Sequence, residues 1–223
     1  KPEFKASYAD SVIKYVDLSF ANTSEDPTIF FTASNSSDGN PMGPSYGVIT
    51  STANGRITNT ILSLLTGGVR GTASVDTIAS RDPRLSKMLT PVTGGGIYRG
   101  ILPTKGGTTS GHVLGLLSGT PATYAGKYLF ADKARYPLMS YSQLQFAKSE
   151  AQFLKDDKAA AHASYLNAIR AHMSFVNTYG RNGSTATEPA ITEAEIVAYM
   201  TSPEVAQNPA ELGISDIMQQ KYI

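Results

Sequence analysis

The chain has 223 residues, 19 Lys+Arg against 18 Asp+Glu, and 41% hydrophobic residues, which fits one large domain or two small ones and excludes a disordered chain. The balanced charge removes the general attraction to phosphate backbones, so a nucleic-acid partner is not expected. No apolar run reaches the ~20 residues that span a bilayer, and zero Cys excludes disulfides, thiolate metal sites and thiol nucleophiles.

The chain opens at Lys1-Pro2-Glu3-Phe4 with no initiator Met, apolar signal segment or lipidation Cys. It stops at Gln219–Ile223 in what reads as the middle of a helix, so a part of a longer protein is expected. Helical periodicity begins at Lys5–Asn22, where Tyr8, Val12, Tyr15 and Ser19 fall on one stripe beside Val16 and Phe20. Asp26-Pro27 breaks it. A polar stretch rich in Ser, Asn, Gly and Pro follows, an irregular insertion over 32–55. Ile57, Ile61, Leu64 and Leu65 then take helical spacing before the stop at Gly67-Gly68.

Ser80–Leu85 reads as a helix start, with Asp82 accepting orphan backbone donors and Pro83 at the first position. A second irregular insertion, 90–126, is punctuated by Gly94–Gly96, Pro103, Gly106-Gly107 and Pro121; Ile97–Leu102 is a candidate short strand. The strongest pattern is a helix pair over 138–177, its start set by Pro137. Leu144, Ala147, Ala151 and Leu154 form one stripe. After the Lys155-Asp156-Asp157 break, Ala159, Ala163, Leu166, Ile169, Met173 and Val176 form another. Many alanines at the contact allow close packing, as in tetratricopeptide pairs. Such a pair needs flanking pairs to cover its outer face. Short capped helices are expected next, from the capping box Thr192–Glu195, from Ser202-Pro203, from Asn208-Pro209 and from Ser215-Asp216.

No catalytic constellation assembles from these residues. His162 and His172 stand ten apart, about 80° off one another around a helix, without the one-face spacing of a metal pair. With His112 they read as solvated surface histidines. There is no Gly-x-Ser-x-Gly elbow, and Gly94–Gly96 lacks the spacing of a dinucleotide loop. Glu193 and Glu195 are first-turn residues favoured by the helix dipole, and a glycosidase-type dyad would need distant carboxylates that spacing does not single out. No enzymatic activity, cofactor or metal is therefore expected. Tyrosine stands out, 12 residues with no Trp. Tyr8, Tyr15, Tyr141 and Tyr165 lie on helices and are expected in the core. Tyr46, Tyr98 and Tyr124 lie in irregular segments, where flat faces and hydroxyls suit sugar or peptide ligands, and Arg99 adds a charged donor beside Tyr98. These four are the candidate ligand-binding residues.

The segment Tyr136-Pro137-Leu138-Met139-Ser140-Tyr141-Ser142-Gln143-Leu144-Gln145-Phe146, continuing to Ser149-Glu150-Ala151, resembles the "YPLMTYAEvqFlkAEA" segment of SusD/RagB-like proteins, closest to the SusD-like branch. Arg81-Asp82-Pro83-Arg84-Leu85 resembles that family's DPR element, and Ile217–Ile223 resembles the start of its "IxxQKyia" helix. The three pieces occur in the family's order, and Lys5–Asn22 would correspond to the last helix before the insertion. The resemblance implies a mainly α fold with tetratricopeptide-like helix pairs, long irregular segments and at most short strands. On this basis 1–223 forms part of a single SusD-like domain whose N-terminal half and extreme C-terminus are absent.

By the same resemblance, the complete protein would be an outward-facing outer-membrane lipoprotein. It would capture a nutrient, commonly a glycan, for a SusC-type TonB-dependent transporter, touching the membrane only through an N-terminal lipid absent from this chain. The family's "EaWaexRR" segment would follow Ile223. Family glycan binders often stack sugars on Trp, so here Tyr replaces it, or the Trp lies in the absent half, or the ligand is not a glycan. The alternative is a helix-pair scaffold that binds protein surfaces without a small ligand. A fragment cut through its scaffold is also expected to self-associate or to take up a partner chain.

Overall fold

The structure, a computed structural model, describes residues 6–35, 37–43, 58–66, 82–89, 98, 100, 128–130, 132–180 and 189–223. It is mainly helical, with seven α-helices and one two-stranded sheet among those residues. The centre is the expected antiparallel pair, α4 (Tyr141–Leu154) and α5 (Lys158–Thr178). Ser140 starts α4, four residues short of which Pro137 closes a strand instead of opening the helix. Ser140 Oγ accepts from Gln143 N at 3.2 Å, and Gln143 Oε1 accepts from Ser140 N at 2.9 Å. Between the helices Asp156 takes a left-handed φ of 64°, and Asp157 then caps α5 by accepting from Ala160 N at 3.1 Å.

The two helices meet through small and polar side chains more than through the expected apolar stripes. Ser149 Oγ donates to Ala161 O at 2.8 Å, and Ser164 Oγ donates to Gln152 Oε1 at 2.7 Å. All four side chains are buried, whereas Leu154, Ala159 and Ala163 are exposed. Ile169, Met173 and Val176 are buried as expected and join Tyr165, Phe175, Leu62, Leu65, Leu85 and Ile217 in one core.

The first helix, α1 (Ala6–Asp17), packs on α4 and is shorter than its sequence pattern. Its rotation also differs from that pattern. Asp10 and Asp17 pair with Lys155 and Lys148 of α4, which turns Ala9 and Val16 inward and leaves Tyr8 and Tyr15 57% and 67% exposed. Those two tyrosines are therefore not core residues, while Tyr165 is fully buried.

After a 3-10 turn at Thr23–Glu25, β1 (Thr28–Phe30) pairs antiparallel with β2 (Arg135–Pro137), placing Ile29 opposite Tyr136. The described start of the 32–55 insertion is held by buried Asn40, whose N donates to Asp132 O at 3.2 Å and whose Nδ2 donates to Leu129 O at 2.7 Å. There Gly43 lies so close that a Cβ would meet Asp132 Oδ1 at 2.5 Å. Almost all of the 90–126 insertion lies outside the described residues, and so does the candidate strand Ile97–Leu102 apart from Tyr98 and Gly100.

Helices α2 (Asn59–Leu65) and α3 (Leu85–Met88) add Leu62, Leu65, Leu85 and Met88 to the core, while α6 (Glu193–Met200) packs on α5 and α7 (Ile214–Tyr222) on α4. The capping box of α6 forms as read, with Thr192 Oγ1 accepting from Glu195 N at 3.2 Å and Glu195 Oε2 accepting from Thr192 N at 2.7 Å. These bonds to Thr192 hold the Glu195 carboxyl below its usual range. Ser202 and Asn208 cap single turns and not the helices expected there, because each turn closes after one bond, Val205 N to Ser202 O and Glu211 N to Asn208 O.

Candidate functional site

The densest polar cluster grows from Asp82-Pro83-Arg84. Asp82 does take backbone donors, Arg84 N at 2.9 Å on Oδ1 and Leu85 N at 3.2 Å on its carbonyl. Its main partner is the guanidinium of Arg84, which grips it with Nε at 2.9 Å and Nη2 at 2.6 Å. Arg84 is 0% exposed and Asp82 2%. A buried charge of this kind persists only when it is paired and hydrogen-bonded. Arg84 Nη1 therefore reaches His172 Nδ1 at 2.8 Å on α5, and Nη2 also reaches Gln220 Oε1 at 2.7 Å on α7. The Arg84 Cζ stands 5.6 Å from the ring centre of Tyr199 on α6. Gln220 Nε2 closes the ring by donating to Tyr199 Oη at 2.8 Å.

On the far side of the imidazole, His172 Nε2 lies 3.1 Å from Tyr128 Oη, in the 3-10 turn at Tyr128–Phe130. Phe175 stacks on His172 at 6.3 Å and meets Tyr128 edge-on at 6.1 Å. Burial, joined by the charge of Arg84, pushes His172 down to about 3, so the imidazole is neutral. Burial alone would lower Arg84, but the Asp82 carboxylate outweighs it and holds the guanidinium above its usual value. Burial raises Tyr128 and Tyr199, the latter with help from Asp82, so both phenols stay protonated.

His172 is thus a buried network member, and His162 is buried as well, donating to Ala206 O at 2.8 Å. The expectation of solvated surface histidines is overturned for both, because long-range partners absent from local spacing receive their ring nitrogens. His112 lies outside the described residues.

Of the four candidate ligand residues, Tyr98 is 7% exposed and packs in the core with Leu62, Leu65 and Leu85. Tyr46, Arg99 and Tyr124 lie outside the described residues. Sequence reasoning missed Tyr128, His172 and Gln220. The available signal was the arginine of the DPR element, since an arginine beside an aspartate in a tight turn is a natural centre for a forked ion pair.

A cavity of about 220 Å³ adjoins the network, lined by Tyr128, Ser140, Ser142, His172, Phe175 and Gln220 among others. A second, about 280 Å³, lies between α5 and α6 against Leu166, Val197 and Met200. Among the described residues no three His, Asp or Glu side chains are grouped to hold a metal ion. The network has little to offer as a catalyst. Its carboxylate is consumed by Arg84 and its imidazole is neutral with both nitrogens engaged. What it does is fasten. One guanidinium joins α5, α6 and α7 to the turn before α3.

No protein-family model matches the chain, and no curated protein or solved structure matches it either.

Proposed function

We propose that the chain is the scaffold-bearing part of a SusD-like capture protein, non-enzymatic, which binds a nutrient ligand at the outer face of the outer membrane. The ligand class that the resemblance favours is a glycan or oligosaccharide, delivered to a SusC-type TonB-dependent transporter. In this reading α4 and α5 are a tetratricopeptide-like pair, and the irregular segments carry the binding face.

One observation carries the proposal. The three segments that bear the resemblance are far apart in sequence yet bonded to one another. Arg84 of the DPR element holds Gln220 at 2.7 Å, and Lys221 reaches back to Glu150 of α4 at 2.9 Å. Sequence pieces that recur in order and meet in space behave as parts of one framework. No described helix is long and apolar enough to cross a membrane, and the proposal needs none, since attachment would be through lipid.

The test is fractionation of the full-length gene product, followed by a glycan array on the purified protein. A lipid-modified product recovered with outer membrane, whose glycan signal falls in Tyr46→Ala and Tyr124→Ala variants, is the expected result. A product without lipid, recovered in the soluble fraction and silent on the array, overturns it. Tyr98→Ala is unsuited to this assay, because its buried ring reports packing. The scaffold reading, binding protein without a small ligand, is favoured by one feature, the apolar side chains exposed along α1, where Leu18 is 72% exposed just past the helix end.

A further inference from the structure

Buried hydroxyl groups whose protons meet no acceptor among the described residues line the cavity beside the Arg84 network. The argument begins at a side chain that cannot accept. Arg84 only donates, so His172 Nδ1 must be the acceptor of the 2.8 Å bond. The neutral imidazole then carries its proton on Nε2, which donates to Tyr128 Oη. The hydroxyl of Tyr128 is left with its own proton to place, and no described residue takes it.

A second donor comes from the start of α4. Ser140 Oγ accepts from Gln143 N and stands 2.8 Å from Ser142 Oγ. Whichever serine donates to the other, one hydroxyl proton of this buried pair is left over. Gln220 adds a third, since among the described residues only Tyr199 takes one of its amide protons. These side chains line the same cavity, whose walls include the rings of Phe146 and Phe175. Among the described residues no Asp or Glu side chain lines it, and the charged side chain in its lining is Lys221, shared with Glu150 at 2.9 Å.

We propose that this cavity binds a small monocarboxylate with a compact apolar tail, its oxygens accepting from Tyr128 and the Ser140–Ser142 pair and its tail lying on Phe146 and Phe175. At about 220 Å³ the space is below the ~300–1,000 Å³ of drug-sized pockets, which restricts the occupant to something of the size of benzoate or butyrate. Buried donors left unmet in a low-dielectric site are costly, so an acceptor-rich ligand recovers what the fold leaves unmade. The inference does not depend on nutrient capture by the irregular segments.

The test is calorimetric titration of the whole chain with sodium benzoate and sodium butyrate, with benzyl alcohol as the neutral counterpart. Saturable benzoate binding is expected, weakened about tenfold or more in Tyr128→Phe, the loss that follows from removing a hydrogen bond to a charged acceptor. Ser142→Ala is expected to weaken it as well, and it carries the test if Tyr128→Phe does not fold by circular dichroism. Benzyl alcohol should bind at least about tenfold more weakly than benzoate. Absence of saturable benzoate binding overturns the proposal and leaves ordered water as the acceptor of these protons. Equal benzoate affinity in the folded variants, or equal affinity for benzyl alcohol, overturns it too.

Discussion

The Asp82–Arg84 pair offers the sharpest test of what holds this fold together. Removing the carboxylate with Asp82→Ala leaves a guanidinium that is 0% exposed without its counter-charge. Breaking one side of such a buried pair costs about 3–5 kcal/mol. With a urea dependence of about 2 kcal/mol per molar, the unfolding midpoint falls by about 2 M. Arg84→Met removes the charge and fills much of the same volume, but it strands Asp82, His172 Nδ1 and Gln220 Oε1, so it is also expected to be costly. Putting both changes in one chain removes the stranded charges together, and the pair should then couple by about 2 kcal/mol or more. Urea melts followed at 222 nm for the four proteins of this cycle give the answer. Single variants that each cost under about 1 kcal/mol, or effects that simply add, would refute the account of Arg84 as the hub of a buried charge network.

Other consequences are as direct. Ser149→Ala deletes the hydroxyl that bridges α4 to Ala161 O, and a loss of about 1 kcal/mol in chemical denaturation is expected, while Tyr15→Ser on the exposed face of α1 should leave the melt unchanged. His172 is held at about 3 in the fold against an ordinary value of 6.5, so the unfolded chain binds more protons between those limits. Stability from this residue is therefore complete above pH 6.5 and is lost as pH falls towards 3, by about 2 kcal/mol at pH 5. His172→Gln should flatten that limb of a stability–pH curve.

Asp26 has the opposite sign. Burial, partly offset by the Tyr141 N–H, raises its carboxyl from 3.8 to about 6, and Oδ2 has no hydrogen-bond partner among the described residues. The folded chain holds that proton more tightly, so acidification from pH 7 to 4 adds stability, at most about 3 kcal/mol and less where solvent screens the group. Asp26→Asn should supply that gain at pH 7 and remove the dependence, as read by thermal melts across the range.

The helix pair was legible because its signals are local. The Lys155–Asp157 break lies within a few residues of the two helices it separates, whereas the start read at Pro137 belongs to a strand and Ala159 and Ala163 of the stripe are exposed. The Thr192 box was legible for the same reason. Helix rotation was not. Periodicity on α1 marks Tyr8, Val12 and Tyr15 as a face, but the ion pairs of Asp10 and Asp17 with α4 select the neighbouring one. The strands β1 and β2 are three residues each, too short for alternation to register, and Pro137 signals a helix start as readily as a strand end. The roles of His172 and Tyr128 depend on Arg84, 88 residues from His172, and no spacing rule carries information over that distance.

That dependence makes the polar core part of the framework. Apolar burial holds the helices together but is indifferent to their register, since it carries no direction. The forked bonds of Arg84 are directional, and they are made only when the turn at Asp82, the face of α5 at His172 and the face of α7 at Gln220 arrive at one set of positions. A register error of a single residue on α7 would replace Gln220 by Gln219, whose Nε2 already donates to Leu64 O at 3.2 Å, or by Lys221, a second cation. Lys221 cannot receive Arg84, and Gln219 could do so only by giving up Leu64 O, so either slip loses a bond that the observed register makes. The side chains closest to being reactive, Asp82, His172 and Tyr199, are those most fully committed to holding it.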